Sequence, residues 1–129
     1  MKYPIAIEAG NNDHAFSVVV PDLPGCFSAG DTLDEAVDNA KEAVELWLET
    51  VIDDGGAIPE PHTLTEHQAT PEFAGWIWAV VAVDLAQLSD KAERVNVTLP
   101  ARVLRRIDAA AKAAGESRSG FIAHLALRA

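Results

Sequence analysis

The stretch PDLPGCFSAGDTLDEAVDNAKEAVELWLE, residues 21–49, decides the fold of the region around it. Thr32 and Glu35 form a capping box, in which the two side chains satisfy backbone N–H groups at the start of a helix. Apolar residues then recur at helical spacing as far as Val51, and Asp-Gly-Gly at 54–56 indicates the helix end. This stretch therefore predicts one long amphipathic helix that begins just after a turn.

Two alternating segments precede this stretch. Residues 3–9 and 16–20 place apolar side chains at every second position, and a Gly/Asn/Asp loop at 10–13 joins them. This arrangement predicts a β-hairpin. The two prolines of residues 21–25 end the second strand, and residues 26–29 can return as a short third strand.

The segments after the helix complete a small α+β layer. Residues 58–61 read as an extended connector, and residues 63–70 can form one short helix. Residues 75–83 are apolar without interruption, which predicts a central strand buried on both faces. The expected order is βββαβ, with one long helix packed on a small sheet.

Charge divides the chain into two parts. Residues 1–90 carry 17 acidic and two basic residues, a net charge of −15, whereas residues 91–129 carry eight basic and three acidic residues, a net of +5. The two values sum to the −10 of the whole chain. Such asymmetry favours two modules with oppositely charged partners, and we place the modules at residues 1–88 and 89–129.

The first module resembles a known family. The PDLPGC turn, the G-D-T step, the E-A-hydrophobic helix and the "GGAIPEP" exit of residues 55–61 occur in the order of the HicB antitoxin signature. The resemblance implies a partial ribonuclease-H-like domain without nuclease activity, which binds a basic RNA-cleaving toxin of HicA type. The net charge of −15 over residues 1–90 independently suits a basic partner.

The second module begins with the alternating stretch ERVNVTLP, residues 93–100. Its apolar residues face one way, whereas Arg94, Asn96 and Thr98 face the other. Pro100 and Gly115 then delimit a first helix, and Ser117 is a natural N-cap for a second.

A strand and two helices in under 40 residues cannot bury enough apolar surface alone, so we expect two copies to pair. The segments "RVNVTLP", "IDAAAKAAG" and "SRSGFIA" resemble the ribbon-helix-helix family across residues 93–129. The resemblance implies a homodimer whose two-stranded ribbon enters the DNA major groove. Arg94, Asn96 and Thr98 would then meet base edges, since arginine suits guanine, asparagine suits adenine and threonine suits either.

The start of the second helix is the expected phosphate contact. Ser117, Arg118 and Ser119 combine free backbone N–H groups, the positive end of a helix and one guanidinium. These groups would hold the DNA backbone beside the groove.

The sequence gives no sign of an enzyme, a cofactor or a metal. The four histidines are scattered, and His62 and His67, although close in sequence, have no neighbouring cysteine or carboxylate at metal-ligand spacing. Cys26 reads as a small buried hydrophobe. A two-metal nuclease cluster would need Glu8, Asp22, Asp31 and Asp84 to converge, and the HicB resemblance implies an inactive protein; the cluster stays open as an alternative.

Together these features predict an antitoxin of a type II toxin–antitoxin system that neutralises a HicA-like toxin and autoregulates its operon by binding double-stranded operator DNA. We expect a homodimer through the C-terminal strand, and a tetramer is compatible with the family. The alternative is a stand-alone ribbon-helix-helix repressor whose N-terminal domain has a sensing or assembly role. One cysteine, no signal-peptide pattern and no apolar run of about 18 residues favour a cytoplasmic protein without membrane contact.

Overall fold

The protein, described by a computed structural model over residues 1–88 and 95–129, combines an antiparallel sheet with helices. The strands are β1 (Lys2–Glu8), β2 (Phe16–Val19), β3 (Phe27–Gly30) and β4 (Ile77–Ala82). The helices are α1 (Leu33–Asp53), α2 (Leu64–Gln68), α3 (Ala101–Ala113) and α4 (Arg118–Arg128), with 3-10 turns at Pro71–Phe73 and Leu85–Gln87. None of the helices in the described ranges has the length and apolar character to cross a membrane.

The long helix α1 lies where its sequence predicts it. Thr32 is the N-cap, and its hydroxyl accepts a hydrogen bond of 3.1 Å from the backbone N–H of Glu35. Every fourth residue of one face is fully buried against the sheet, namely Ala36, Ala40, Val44 and Leu48. Two of these four residues are alanines, and such small side chains let a helix lie close to a sheet.

The sheet order β3-β2-β1-β4 corrects one expectation. The apolar segment 75–83 was expected to form a central strand, but β4 lies at an edge, and Val80 is 43% exposed there. The central position belongs to β1, which pairs antiparallel with β2 on one side and β4 on the other. A continuous apolar run does not distinguish a strand covered on both faces from an edge strand with an uncovered apolar face.

Side chains on both faces of β1 are buried. Tyr3 and Ile5 face α1 and are fully buried. On the other face, Ala6 pairs with Trp78, whose ring stacks on His67 of α2 at a centroid distance of 6.2 Å.

The two C-terminal helices also follow the sequence signals. Gly115 has a φ of +69°, a left-handed conformation that suits glycine just after a helix. Ser117 caps α4, because its hydroxyl accepts a hydrogen bond of 3.0 Å from the backbone N–H of Gly120. Ala123 and Leu127 of α4 pack against the core formed by the sheet and α1.

The predicted ribbon is only partly described. Residues 89–94 lie outside the described ranges, and residues 95–100 form no strand within the single chain. Val95 and Val97 are 72% and 69% exposed. One chain offers only one copy of this segment, so the predicted pairing between copies remains a prediction.

Candidate functional site

The residues predicted to read DNA bases lie on an open surface as far as they are described. Asn96 and Thr98 are exposed on the segment that leads into α3. Arg94 lies outside the described residues.

Large apolar side chains are exposed on the same module. Beside the two valines of the predicted ribbon, the exposed members of α3 and α4 are Val103, Ile122 and Leu125, each between 42% and 43% accessible. Large side chains with this exposure, grouped on one small module, are typical of a surface that a partner covers.

The predicted phosphate contact at α4 is already occupied by groups of the same chain. The guanidinium of Arg118 makes two hydrogen bonds to Asp108, from Nε at 2.7 Å and from a terminal nitrogen at 2.9 Å. This pairing lowers the pKa of Asp108. Ser119 is exposed, whereas the hydroxyl of Ser117 faces another carboxylate, that of Asp84.

Asp84 follows β4 and reaches the N-terminus of α4. Its Oδ1 accepts hydrogen bonds from the backbone N–H of Ala86 at 3.1 Å and from the hydroxyl of Ser117 at 3.4 Å. A Cβ atom at Gly120 would overlap this oxygen, so glycine allows the close approach. The carboxylate therefore lies at the positive end of α4, where the phosphate contact is predicted.

A buried charged network joins the C-terminal helices to the rest of the chain. Glu116 lies between α3 and α4 and forms a buried ion pair with the amino group of Met1. Its second carboxylate oxygen lies 3.4 Å from Nδ1 of His124, and Nε2 of His124 lies 2.9 Å from Glu60. Arg128 also contacts Glu60, at 3.0 Å. These contacts hold α4 against the connector that follows α1.

A second cluster lies at the turn between β2 and β3. Asp22 of this turn has a side chain that is only 2% exposed. Its Oδ1 lies 2.6 Å from Nδ1 of His62, and its Oδ2 lies 2.8 Å from Nε2 of His67. The backbone N–H of His62 also donates to Oδ1, at 3.2 Å. Asp22 is 40 and 45 residues away from the two histidines in the sequence, so no local spacing pattern indicates this cluster.

The four acidic residues considered for a nuclease cluster do not share partners in the described ranges. Asp22 binds the two histidines, Asp84 binds the start of α4, and Glu8 and Asp31 are exposed. Cys26 is buried, as expected, and its burial raises the pKa of the thiol.

An apolar groove of about 480 Å³ lies between β3 and α1. Phe27 and Leu46 are its exposed large apolar side chains, at 66% and 65% accessible. Trp47 lines the same groove, and its indole N–H donates a hydrogen bond of 3.1 Å to the carbonyl of Pro24. Acidic residues of α1 lie along the rest of the exposed helix surface, namely Asp34, Asp38 and Glu42.

Comparison with known proteins gives the family. The model of HicB-like antitoxins of bacterial toxin–antitoxin systems matches residues 3–126. An uncharacterized 14.9 kDa protein from the rep-hol intergenic region of Haemophilus phage HP1 is 44% identical over 128 residues, covering 98% of this chain and 95% of the phage protein.

Solved structures agree with that assignment. The crystal structure of the Burkholderia pseudomallei antitoxin HicB is 44% identical, with a TM-score of 0.80 over 98% of this chain and 96% of that chain. A chain of a HicA3 and HicB3 toxin–antitoxin complex is 31% identical, with a TM-score of 0.57 over 65% of this chain and 99% of that chain. By sequence and by structure, the chain belongs to the HicB-like antitoxin family of bacterial toxin–antitoxin systems.

Proposed function

We propose that this antitoxin neutralises a HicA-like RNA-cleaving toxin by direct binding and represses its own operon by binding operator DNA as a homodimer. The first part of this proposal, toxin binding, is supported by family membership and by the solved complex of a related HicB3 with HicA3. The second part, DNA binding, is supported by residues 95–100 and by the helices α3 and α4 that follow them.

The N-terminal region has the surface expected of a protein that binds a basic partner. Its exposed groove, with Phe27 and Leu46, offers apolar contact area, and the carboxylates of α1 lie beside it. An apolar centre with a charged rim is the usual anatomy of a protein interface. The complementary charge would accelerate association with a basic toxin.

The observation that carries the DNA half is the placement of Val95 and Val97 beside Asn96 and Thr98. The valines are exposed in the single chain, although a strand of this composition gains stability by burying them. Pairing two copies would cover the valines and leave Asn96 and Thr98 on the outer face, where a ribbon meets base edges.

The alternative is a stand-alone repressor whose N-terminal region senses a ligand or serves assembly, including assembly into a tetramer. The apolar edge strand β4, with Val80 at 43% exposure, is compatible with an assembly role. The two proposals differ in whether a toxin binds.

The toxin half is tested by co-expressing the tagged chain with the product of the neighbouring reading frame. We expect a small basic protein to co-purify with the unaltered chain and with Val97→Asp, which changes the predicted ribbon. Leu46→Asp should lose the partner, because it places a charge in the apolar groove. Absence of a partner from every preparation would favour the stand-alone repressor. A mobility-shift assay with the DNA upstream of the operon tests operator binding, whether or not a toxin binds.

A further inference from the structure

We propose that Asp22, His62 and His67 bind one divalent transition-metal ion of the zinc class. The three residues come from the β2–β3 turn, the connector after α1 and helix α2. One donor atom from each residue lies within 4.8 Å of the others.

The donor set fits this class of metal. Two imidazole nitrogens and one carboxylate oxygen are typical zinc ligands, with bonds of about 2.0 to 2.2 Å. A tetrahedral ion with such bonds separates neighbouring donors by about 3.3 Å. The two short contacts use different oxygens of Asp22: Oδ1 lies 2.6 Å from Nδ1 of His62, and Oδ2 lies 2.8 Å from Nε2 of His67. Binding of one ion would therefore require the side chains to turn so that their donor atoms, now within 4.8 Å of one another, surround it. The ring of His62 is 65% exposed and has room to move.

Electrostatics favours a cation at this place. The Asp22 carboxylate is almost fully buried, and a buried carboxylate is costly unless it has a charged or hydrogen-bonding partner. Residues 1–88 contain two fixed cationic side chains, Lys2 and Lys41, and neither pairs with Asp22 in the described structure. The two imidazoles and the backbone N–H of His62 supply its polar contacts, and a bound metal ion would place a full positive charge beside the same carboxylate.

Surrounding contacts already orient the ligands. The ring of His67 stacks on Trp78 with an interplanar angle of 11°, which fixes the direction of its Nε2. The backbone N–H of His62 holds Oδ1 of Asp22 in place. Supports of this kind, outside the ligand set, raise metal affinity.

With three protein ligands, the fourth position of a tetrahedral ion would face solvent beside His62. The bound ion would join the β2–β3 turn to the connector and to α2, and would stabilise the native state in proportion to its occupancy. Asp22, His62 and His67 are not among the residues that the proposed toxin and DNA surfaces need.

The test is zinc titration of the full-length chain after treatment with a chelator, followed by calorimetry and thermal unfolding. We expect one ion per chain, a rise in Tm with zinc, and a cobalt(II) spectrum in the visible range typical of a four-coordinate site. His62→Ala should bind zinc at least about tenfold more weakly, because loss of a direct ligand costs no less than loss of its supporting contacts. His62 is exposed, so this variant should retain the fold.

His14→Ala is the matched control, since His14 is exposed on the β1–β2 loop and belongs to no cluster in the described residues. Its zinc affinity should equal that of the unaltered chain. Asp22→Asn, with its fold verified by circular dichroism, should bind as weakly as His62→Ala. The proposal is overturned if the unaltered chain binds no zinc, or if His14→Ala and His62→Ala weaken binding equally.

Discussion

The hydroxyl of Ser117 donates a hydrogen bond to Oδ1 of Asp84, which places a carboxylate from the end of β4 against the N-terminus of α4. The same N-terminus is the predicted phosphate contact of the proposed DNA-binding module. A phosphate and the Asp84 carboxylate would compete for one positively polarised helix end. Contact with DNA at this helix end would therefore require Asp84 to move away.

Asp84→Asn should strengthen operator binding by about two- to fivefold per chain, because charge at a helix terminus contributes about 0.3 to 1 kcal/mol. Asparagine keeps an oxygen that can accept from the N–H of Ala86, so the 3-10 turn should survive. Fluorescence anisotropy at fixed salt measures the effect. Asp34→Asn is the control, since it removes the same charge from the exposed surface of α1. Equal gains in both variants would reveal a general charge effect and contradict the competition.

Val97→Asp should convert the proposed homodimer to a monomer and abolish operator binding. The side chain is 69% exposed in the single chain, so the substitution should not disturb the fold of one subunit. In a paired ribbon it would bury two uncompensated carboxylates. Sedimentation velocity distinguishes the monomer from the dimer. Leu46→Asp is the control: this residue of α1 is 65% exposed, and its substitution should leave both dimerisation and operator binding intact. A dimeric Val97→Asp protein would disprove pairing through this segment.

Local signals predicted the helices well. The Thr32 cap, the Gly115 terminus and the Ser117 cap each depend on residues within a few positions, and all three occur where the sequence indicates. Capping rules succeed because the hydrogen bonds that they describe close over three or four residues.

Contacts between distant residues were the part that the sequence did not reveal. The edge position of β4 depends on which strand pairs with β1, and an apolar sequence pattern does not identify the neighbouring strand. The contact of Asp22 with His62 spans 40 residues, and that of Asp84 with Ser117 spans 33. No spacing pattern in the sequence pairs these residues. Only the folded chain shows that two carboxylates have specific partners.

Tyr3→Phe should destabilise the fold by about 1 to 2 kcal/mol. The fully buried Tyr3 hydroxyl donates a hydrogen bond of 2.7 Å to the carbonyl of Pro59, and phenylalanine would leave that carbonyl without this partner. Urea denaturation measures this loss as a lower midpoint concentration with an unchanged m-value.

Burial, with the nearby charges of Glu60 and Asp22, raises the pKa of Tyr3. The unaltered protein should therefore lose stability above about pH 10, where the unfolded tyrosine ionises first, and Tyr3→Phe should lose less. Equal stability of the two proteins at pH 7 would refute the role of this bond.

Acid should remove the contribution of the Asp108–Arg118 pair. The hydrogen bond from Arg118 lowers the pKa of Asp108 in the folded state. The pair therefore stabilises the fold above the ordinary aspartate pKa of about 3.9, and this contribution disappears as the pH falls through the lower folded value. The difference in unfolding free energy between the unaltered chain and Asp108→Asn should be present at pH 7 and vanish in strong acid. Since the pair is exposed, the difference should also shrink in high salt. If the difference in unfolding free energy persists in strong acid, it does not arise from the ion pair between Asp108 and Arg118.

Asn96→Ala separates base recognition from general attraction to DNA. The side chain is exposed, so its removal should leave the stability of the single chain unchanged. If Asn96 contacts adenine across the major groove, its loss should weaken operator binding by about 1 to 3 kcal/mol and relax preference at one base position. Affinity for random DNA should hardly change, because phosphate contacts supply that affinity.

Arg118→Ala provides the contrasting measurement. Loss of its charge should weaken binding to operator and random DNA alike and flatten the dependence of affinity on salt. This outcome requires Arg118 to exchange Asp108 for a phosphate when DNA binds, since the two compete for the same guanidinium. Mobility shifts on both DNAs at two salt concentrations distinguish the two residues. Equal losses on operator and random DNA for Asn96→Ala would assign Asn96 to the backbone rather than to the bases.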